Sequence, residues 1–408
     1  MRHFLKPFDE SVRVFVHCEG QCARTVGRIS LHLLASILLL SCVATALLLS
    51  SVATAAADDS AATKAPAESP GQGEAADKVS VFYLTNRQRQ ERKPVDDTYS
   101  GDRGAPHFGR CEVEFTPIPI VNELAPMMSF YVKSETKVVS LAERAEPSVF
   151  WKELGEAAGR TSSGYVVVFV HGYNYAFERT CRMAAQMQRY LQDKATVVAF
   201  SWPSNGLPSD YVRDQADIEW SVPLLASFIE RLGDFIGNAN VQVVAHSLGS
   251  RGVIFALQRL AARQVERPAI GNLVLLAPDF DSWTFVDLLP GFLSLSDHIS
   301  LYASANDTPL KFSRQLSGYP RLGEAGEYLT VFEGIDTIDV SSAGRYQFTG
   351  HEYFYFHPRV TADLSTLLST GARAAERSGL KPKMRNGVRY WEFRANGRSD
   401  GGAVTVDD

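Results

Sequence analysis

Short apolar runs recur along the chain, with polar stretches of helical period between many of them. VSVFYLT (79–85), CEVEF (111–115) and MMSFYV (127–132) come first, with no helical pattern between the first two. YVVVFV (165–170), TVVAFSW (196–202), VQVVA (241–245), LVLLA (273–277), ISLYAS (299–304) and YLTVF (328–332) follow. Several are apolar at every position, as expected of strands covered on both faces. Over 177–193, Met183, Met187, Tyr190 and Leu191 recur at helical spacing, as do Leu225, Phe228, Ile229, Leu232 and Phe235 over 218–236. Residues 249–264 and 358–376 read as further helices, the last opening on Pro358, a favoured first helical residue. Strands alternating with helices predict an α/β fold: a mostly parallel sheet with helices on both faces, and an antiparallel edge from the early, helix-free strands.

The N-terminal stretch breaks this rhythm. Ile29–Ala57 contains no charged residue, and its apolar centre is longer than the ~7–15 residues usual for a signal peptide. It reads as a membrane anchor following a cytoplasmic tail, or as a signal segment cleaved after Ala55-Ala56-Ala57; both stay open. Arg24 and Arg28 before the run leave the tail in the cytoplasm and the body outside it under the positive-inside rule. Residues 58–78, rich in Ala, Ser, Pro, Gly and acids, read as a flexible linker. This divides the chain into an address (1–57), a linker (58–78), a folded domain (79–380) and a polar C-terminal tail (381–408).

Composition narrows the classes. Of 408 residues 45% are hydrophobic and 21% charged, enough apolar material for a sizeable core. A net charge of −5 without a basic stripe argues against a nucleic-acid binder. The five cysteines include no C-x-x-C pair, so no structural metal is expected. Cys111 and Cys181 read as small buried thiols, with a disulfide in an oxidising compartment the alternative, since the sequence does not supply their separation.

Chemistry concentrates where a strand meets a helix. In VQVVAHSLGSRGVIFALQRL (241–260), Ala245-His246-Ser247-Leu248-Gly249 has the small-x-Ser-x-Gly form of a nucleophile elbow. Small residues two before and two after the serine relieve the crowding of a strained turn, and the following helix offers its positive end to a developing anion. Ala67-Glu68-Ser69-Pro70-Gly71 also fits the pattern, but it lies in the linker with neither strand nor helix. An earlier buried strand ends in His171-Gly172-Tyr173-Asn174, which nominates the N–H groups of Tyr173 and Leu248 as an oxyanion hole, with His171 bracing the loop. After Ser247 the order acid, then histidine, selects His351 as base and Asp307 as acid, with Asp279 the alternative acid. His351 and His357 stand six apart, whereas a zinc-protease helix needs four, so no metal is expected. Residues 282–296 read as an amphipathic helix on the sheet, with a lid bearing Trp283, Phe285 and Phe292 as the alternative.

Together Thr85-Asn86-Arg87, HGYN, Phe200-Ser201-Trp202-Pro203, AHSLGS, Ala277-Pro278-Asp279 and Gly350-His351 resemble the alpha/beta-hydrolase superfamily. They are similar, more closely, to a bacterial esterase/lipase-like family of largely unknown function. The resemblance spans about residues 79–375 and implies a Ser-Asp-His triad without a cofactor. The expected activity is hydrolysis of a small-molecule or lipid ester through an acyl-enzyme. Acyl transfer by the same triad, or a non-catalytic hydrolase-fold binding domain, are the alternatives. The expected partners are that ester and, through the N-terminal segment, a membrane.

Overall fold

The computed structural model describes residues 77–117, 134–206, 209–263, 268–343 and 349–394. The run 29–57 and the strand expected at 127–132 lie outside them. Among the described residues no helix is long and apolar enough to cross a membrane.

Among the described residues one sheet of eleven strands organises the domain: β1 (Asp77–Arg89), β2 (Tyr99–Pro117), β3 (Ser134–Arg144), β4 (Tyr165–Val170), β5 (Ala195–Ser201), β6 (Val241–His246), β7 (Ile270–Leu276), β8 (Ser296–Ala303), β9 (Ile335–Asp339), β10 (Leu380–Arg385) and β11 (Val388–Phe393). Their spatial order is β10-β11-β9-β8-β7-β6-β4-β5-β1-β2-β3. From β11 to β1 every neighbouring pair is parallel. An antiparallel partner closes one end at β10, and β2 and β3 close the other.

Strand alternation divides the core in two. In β4, Val166, Val168 and Val170 join one apolar cluster while Val167 and Phe169 join the other. The first cluster is covered by α1 (Pro147–Arg160), α3 (Tyr211–Ile236), α4 (Gly249–Ala261) and α5 (Ser282–Phe292). The second is covered by α2 (Phe177–Leu191), the start of α6 (Thr308–Ser317), the short α7 (Tyr353–Phe356) and α8 (Pro358–Thr370). Helices on both faces account for the uninterrupted apolar runs of the central strands.

Three sequence expectations are corrected. YLTVF (328–332) is no strand: Gly326–Tyr328 forms a 3-10 turn, and the ladder resumes at Ile335–Asp339, whose polar Asp336, Thr337 and Asp339 masked its character. Residues 380–393, assigned almost wholly to a polar tail, form the β10–β11 hairpin. Leu380, Trp391 and Phe393 are buried by it, while the lysines between them face out. Cys111 on β2 and Cys181 on α2 are not free thiols but a disulfide, their Cα atoms 6.3 Å apart. The segment after β7 is the packed helix α5, burying Phe285, Leu289 and Phe292 and exposing Trp283.

Candidate active site

The site is built at the carboxyl ends of the central parallel strands, where α/β sheets place their chemistry. Ser247 follows β6 directly and precedes α4. Its φ is +51°, a left-handed conformation that L residues avoid and that a sharp strand-to-helix turn imposes. The turn is pinned on both sides: Ser247 N–H donates to Leu276 O (2.9 Å), and Asp279 N–H donates to Ser247 O (3.1 Å). Ser247 itself is 4% exposed.

The HGYN loop leaves the adjacent β4 and touches this turn. A Cβ on Gly172 would lie 2.8 Å from Ser247 Cβ and 2.9 Å from His246 Nδ1, so only glycine admits this approach. His171 is buried with its ring stacked on Trp202 (4.7 Å between centroids), and burial holds it well below its ordinary pKa. Its Nδ1–H donates to Gly172 O (2.8 Å) and its Nε2 accepts from Arg87 (3.3 Å). Arg87 also donates to Tyr175 O (2.7 Å), Ser204 O (2.6 Å) and Ser201 Oγ (2.8 Å). The Thr-Asn-Arg and Ser-Trp-Pro segments thus act as one scaffold behind the loop. Burial brings the Arg87 pKa down to about 9, against the pull of Asp214, so the guanidinium stays charged at neutral pH. Asp214, at the start of α3, accepts from Asn174 N–H (3.2 Å) and Ser204 Oγ (2.6 Å). Tyr173 packs edge-on to Tyr211, and Leu248 is buried at the head of α4.

The third component follows β8. Asp307 caps α6, its Oδ1 accepting from Leu310 N–H (3.0 Å), while its Oδ2 accepts from His351 Nδ1 (2.7 Å). Gly350, at φ +65°, lets the chain cross Asn306, where a Cβ would meet its carbonyl oxygen at 2.5 Å. Thr308 N–H donates to Thr349 O, docking this turn over α6. The His351 ring lies 4.7 Å from that of His246, the residue before Ser247. Burial opposes the His351 imidazolium, but the charge and hydrogen bond of Asp307 outweigh it and leave the pKa above its ordinary value. Burial raises Asp307, with His351 and the Leu310 N–H opposing.

Asp279 sits apart from this pair. It accepts from Tyr211 Oη (2.7 Å) and Ser313 Oγ (2.7 Å) and pairs with Arg321 (3.3 Å). Three side chains not singled out from the sequence also join the site: Asp214, Arg179 and Glu352. Glu352 accepts from Tyr175 Oη and Arg179 Nη2, both at 2.5 Å. Adjacency to His351 was their only sequence signal, and it marks Glu352 alone. A hollow of about 470 Å³ behind the loop, lined by Arg87, Tyr99, Glu178 and Arg182 among others, includes none of Ser247, Asp307 or His351.

A family described as alpha/beta hydrolase of unknown function (DUF900) matches residues 148–370. An uncharacterized protein of Nostoc sp. is 27% identical over 151 residues, 31% of this chain and 38% of that protein, so the match spans well under two thirds of that relative. A Pyrobaculum calidifontis esterase overlaps 51% of this chain and 76% of its own at 13% identity and a TM-score of 0.29. A thermostable carboxylesterase cloned from a metagenomic library overlaps 76% of this chain and 91% of its own, also at 13% identity and a TM-score of 0.29. Overlaps this loose carry no argument about activity.

Proposed function

The chain belongs to the alpha/beta hydrolases of unknown function, and from that premise we propose that it is a serine esterase acting on carboxylic esters through Ser247, His351 and Asp307. His351 Nε2 takes the Ser247 proton as Oγ attacks the ester carbonyl carbon. The tetrahedral oxyanion is held by the N–H groups of Tyr173 and Leu248. Its collapse expels the alcohol, which leaves with the proton from His351, and an acyl-enzyme remains. Water, deprotonated by His351, attacks that acyl carbon; the carboxylic acid departs and Ser247 regains its proton. Asp307 orients the imidazole and stabilises its cation. The observation that carries this reading is the His351–Asp307 hydrogen bond of 2.7 Å, with the His351 ring 4.7 Å from that of His246, the residue before a serine strained to φ +51°.

The test is labelling of the full chain with a fluorophosphonate. Labelling of the wild type that is lost in Ser247→Ala is expected; a folded wild type that stays unlabelled would sink the proposal. The Asp279 network favours Asp307 as the acid, because Asp279 is already engaged by Tyr211, Ser313 and Arg321.

The same proposal places the domain outside the cytoplasm, held by or released from the segment 1–57. The Cys111–Cys181 disulfide supports an oxidising compartment. In intact cells these two thiols should resist alkylation until a reductant is added; alkylation without reductant would overturn the assignment.

A further inference from the structure

We propose that Glu352 is a positioning residue for the catalytic histidine, clamping the His351 turn to the oxyanion loop and setting the pH at which His351 becomes a base; this rests on the serine-hydrolase reading above. Glu352 follows His351 directly, and its side chain is 14% exposed. A single oxygen, Oε1, accepts from Tyr175 Oη and from Arg179 Nη2, each at 2.5 Å. Neither partner belongs to the Glu352 segment: Tyr175 stands one residue past the HGYN loop and Arg179 in the first turn of α2. Arg179 in turn lies 4.1 Å over the Tyr175 ring and donates to Asn174 O (3.2 Å), so it holds both ends of the loop's exit. Tyr175 is buried, with its ring 5.5 Å from His171 and 6.0 Å from His246. The chain of contacts therefore runs from the loop offering the Tyr173 N–H, through Tyr175 and Arg179, to the residue bonded to His351. Two segments 177 positions apart are fixed to each other by one carboxylate. Charge-assisted bonds of this length are the strong class.

Placement matters because a general base and an oxyanion hole must meet one substrate carbonyl; an error of about 1 Å can cost about 10²-fold. Charge matters as well. The groups facing His351 are Asp307 from the head of α6, His246 from the end of β6, and Glu352 beside it, with Arg179 behind Glu352; Asp279, on the turn after β7, makes no contact here and acts only through its charge. The three carboxylates favour the imidazolium, burial opposes it, and His246 is kept neutral by its own burial. Removing the Glu352 charge lowers the pH of the acid limb, and removing the Arg179 charge that compensates it raises that pH. A purely structural part would give neither sign.

The experiment measures the rate of fluorophosphonate labelling of the full chain against pH for wild type, Glu352→Gln and Arg179→Gln. Glu352→Gln should move the acid limb to lower pH and Arg179→Gln to higher pH. Each should also lower the plateau rate, by roughly tenfold or more as the clamp loosens. Should Glu352→Gln fail to fold, the Arg179→Gln limb alone decides: a shift upward supports the clamp, and an unmoved limb overturns it. Limbs that coincide with wild type in both variants overturn the role of Glu352 while leaving the serine hydrolase intact. A folded wild type that stays unlabelled, or labelling that survives in Ser247→Ala, overturns the underlying reading and the Glu352 role with it.

Discussion

Two histidine–aspartate pairs each draw one member from β8 or the turn after it, His298 in one and Asp307 in the other, and their contact distances are the same. His351 Nδ1 lies 2.7 Å from Asp307, and His298 Nε2 lies 2.7 Å from Asp336. Their surroundings differ. His298 engages both ring nitrogens, the second on Asn272 Oδ1 (3.0 Å), near the amino ends of the strands. Asp336 also accepts from Ala374 N–H (2.8 Å) and Trp391 Nε1 (3.2 Å), so it fastens β9 to β11 and to the chain entering β10. Burial would raise Asp336, but His298 and the Ala374 N–H outweigh it and leave its pKa below the usual range. Asp307, by contrast, ends above its usual range. A short His–Asp contact is therefore no mark of catalysis; its end of the sheet and its neighbours decide what it does.

Exchanging side chains in the two pairs sharpens that contrast. His351→Ala should reduce the Ser247-dependent rate by about 10⁴- to 10⁶-fold with little change in melting temperature. His298→Ala should do the reverse, lowering the melting temperature while leaving the rate per folded molecule near wild type. A large rate loss in the second variant would erase the distinction. Asp307→Asn should cost about 10⁴-fold through loss of the imidazole's orientation. Asp279→Asn should cost far less, and equal losses would reopen the choice of acid.

The next effect is on stability against pH. Because the folded Asp336 pKa lies below its unfolded value of about 3.9, its contribution is full above that pH and is lost as pH falls through the folded pKa. Asp336→Asn should therefore flatten the acid side of the stability curve measured by urea unfolding. For His351 the sign concerns rate: its raised pKa puts the rise in activity above the ordinary imidazole value of about 6.5. A rise complete below pH 6 would contradict the Asp307 pairing. Reducing the Cys111–Cys181 bond, which closes a loop across 70 positions, should cost about 4 kcal/mol by loop entropy and leave the rate unchanged below the new melting point.

The central strands and the elbow were legible because their signals are local. YVVVFV and VQVVAHSLG carry their burial and their turn within a few residues, and β4 and β6 begin where the apolar runs begin. The opposite sheet edge was not legible. Asp336 and Asp339 look like turn residues until Trp391, more than 50 positions later, arrives to cover the first. Glu352, Arg179 and Asp214 were missed for the same reason, since each acquires its meaning from a partner on another element. Cys111 and Cys181 could be counted in the sequence, but only the packing of α2 against β2 brings them within bonding range.

The outermost strand, β10, has a consequence beyond the site. It reads LKPKMR, and among the described residues it is the last strand on its side of the sheet. Pro382 lacks an N–H to offer a newcomer, and Lys381 and Lys383 both lean toward Glu392 on β11, leaving a positively charged border. Such an edge is a poor template for the strand of a second molecule. Growth of the sheet onto a second molecule at this border is thereby discouraged, and the polar residues that do so are the ones that made this segment look like a loose extension.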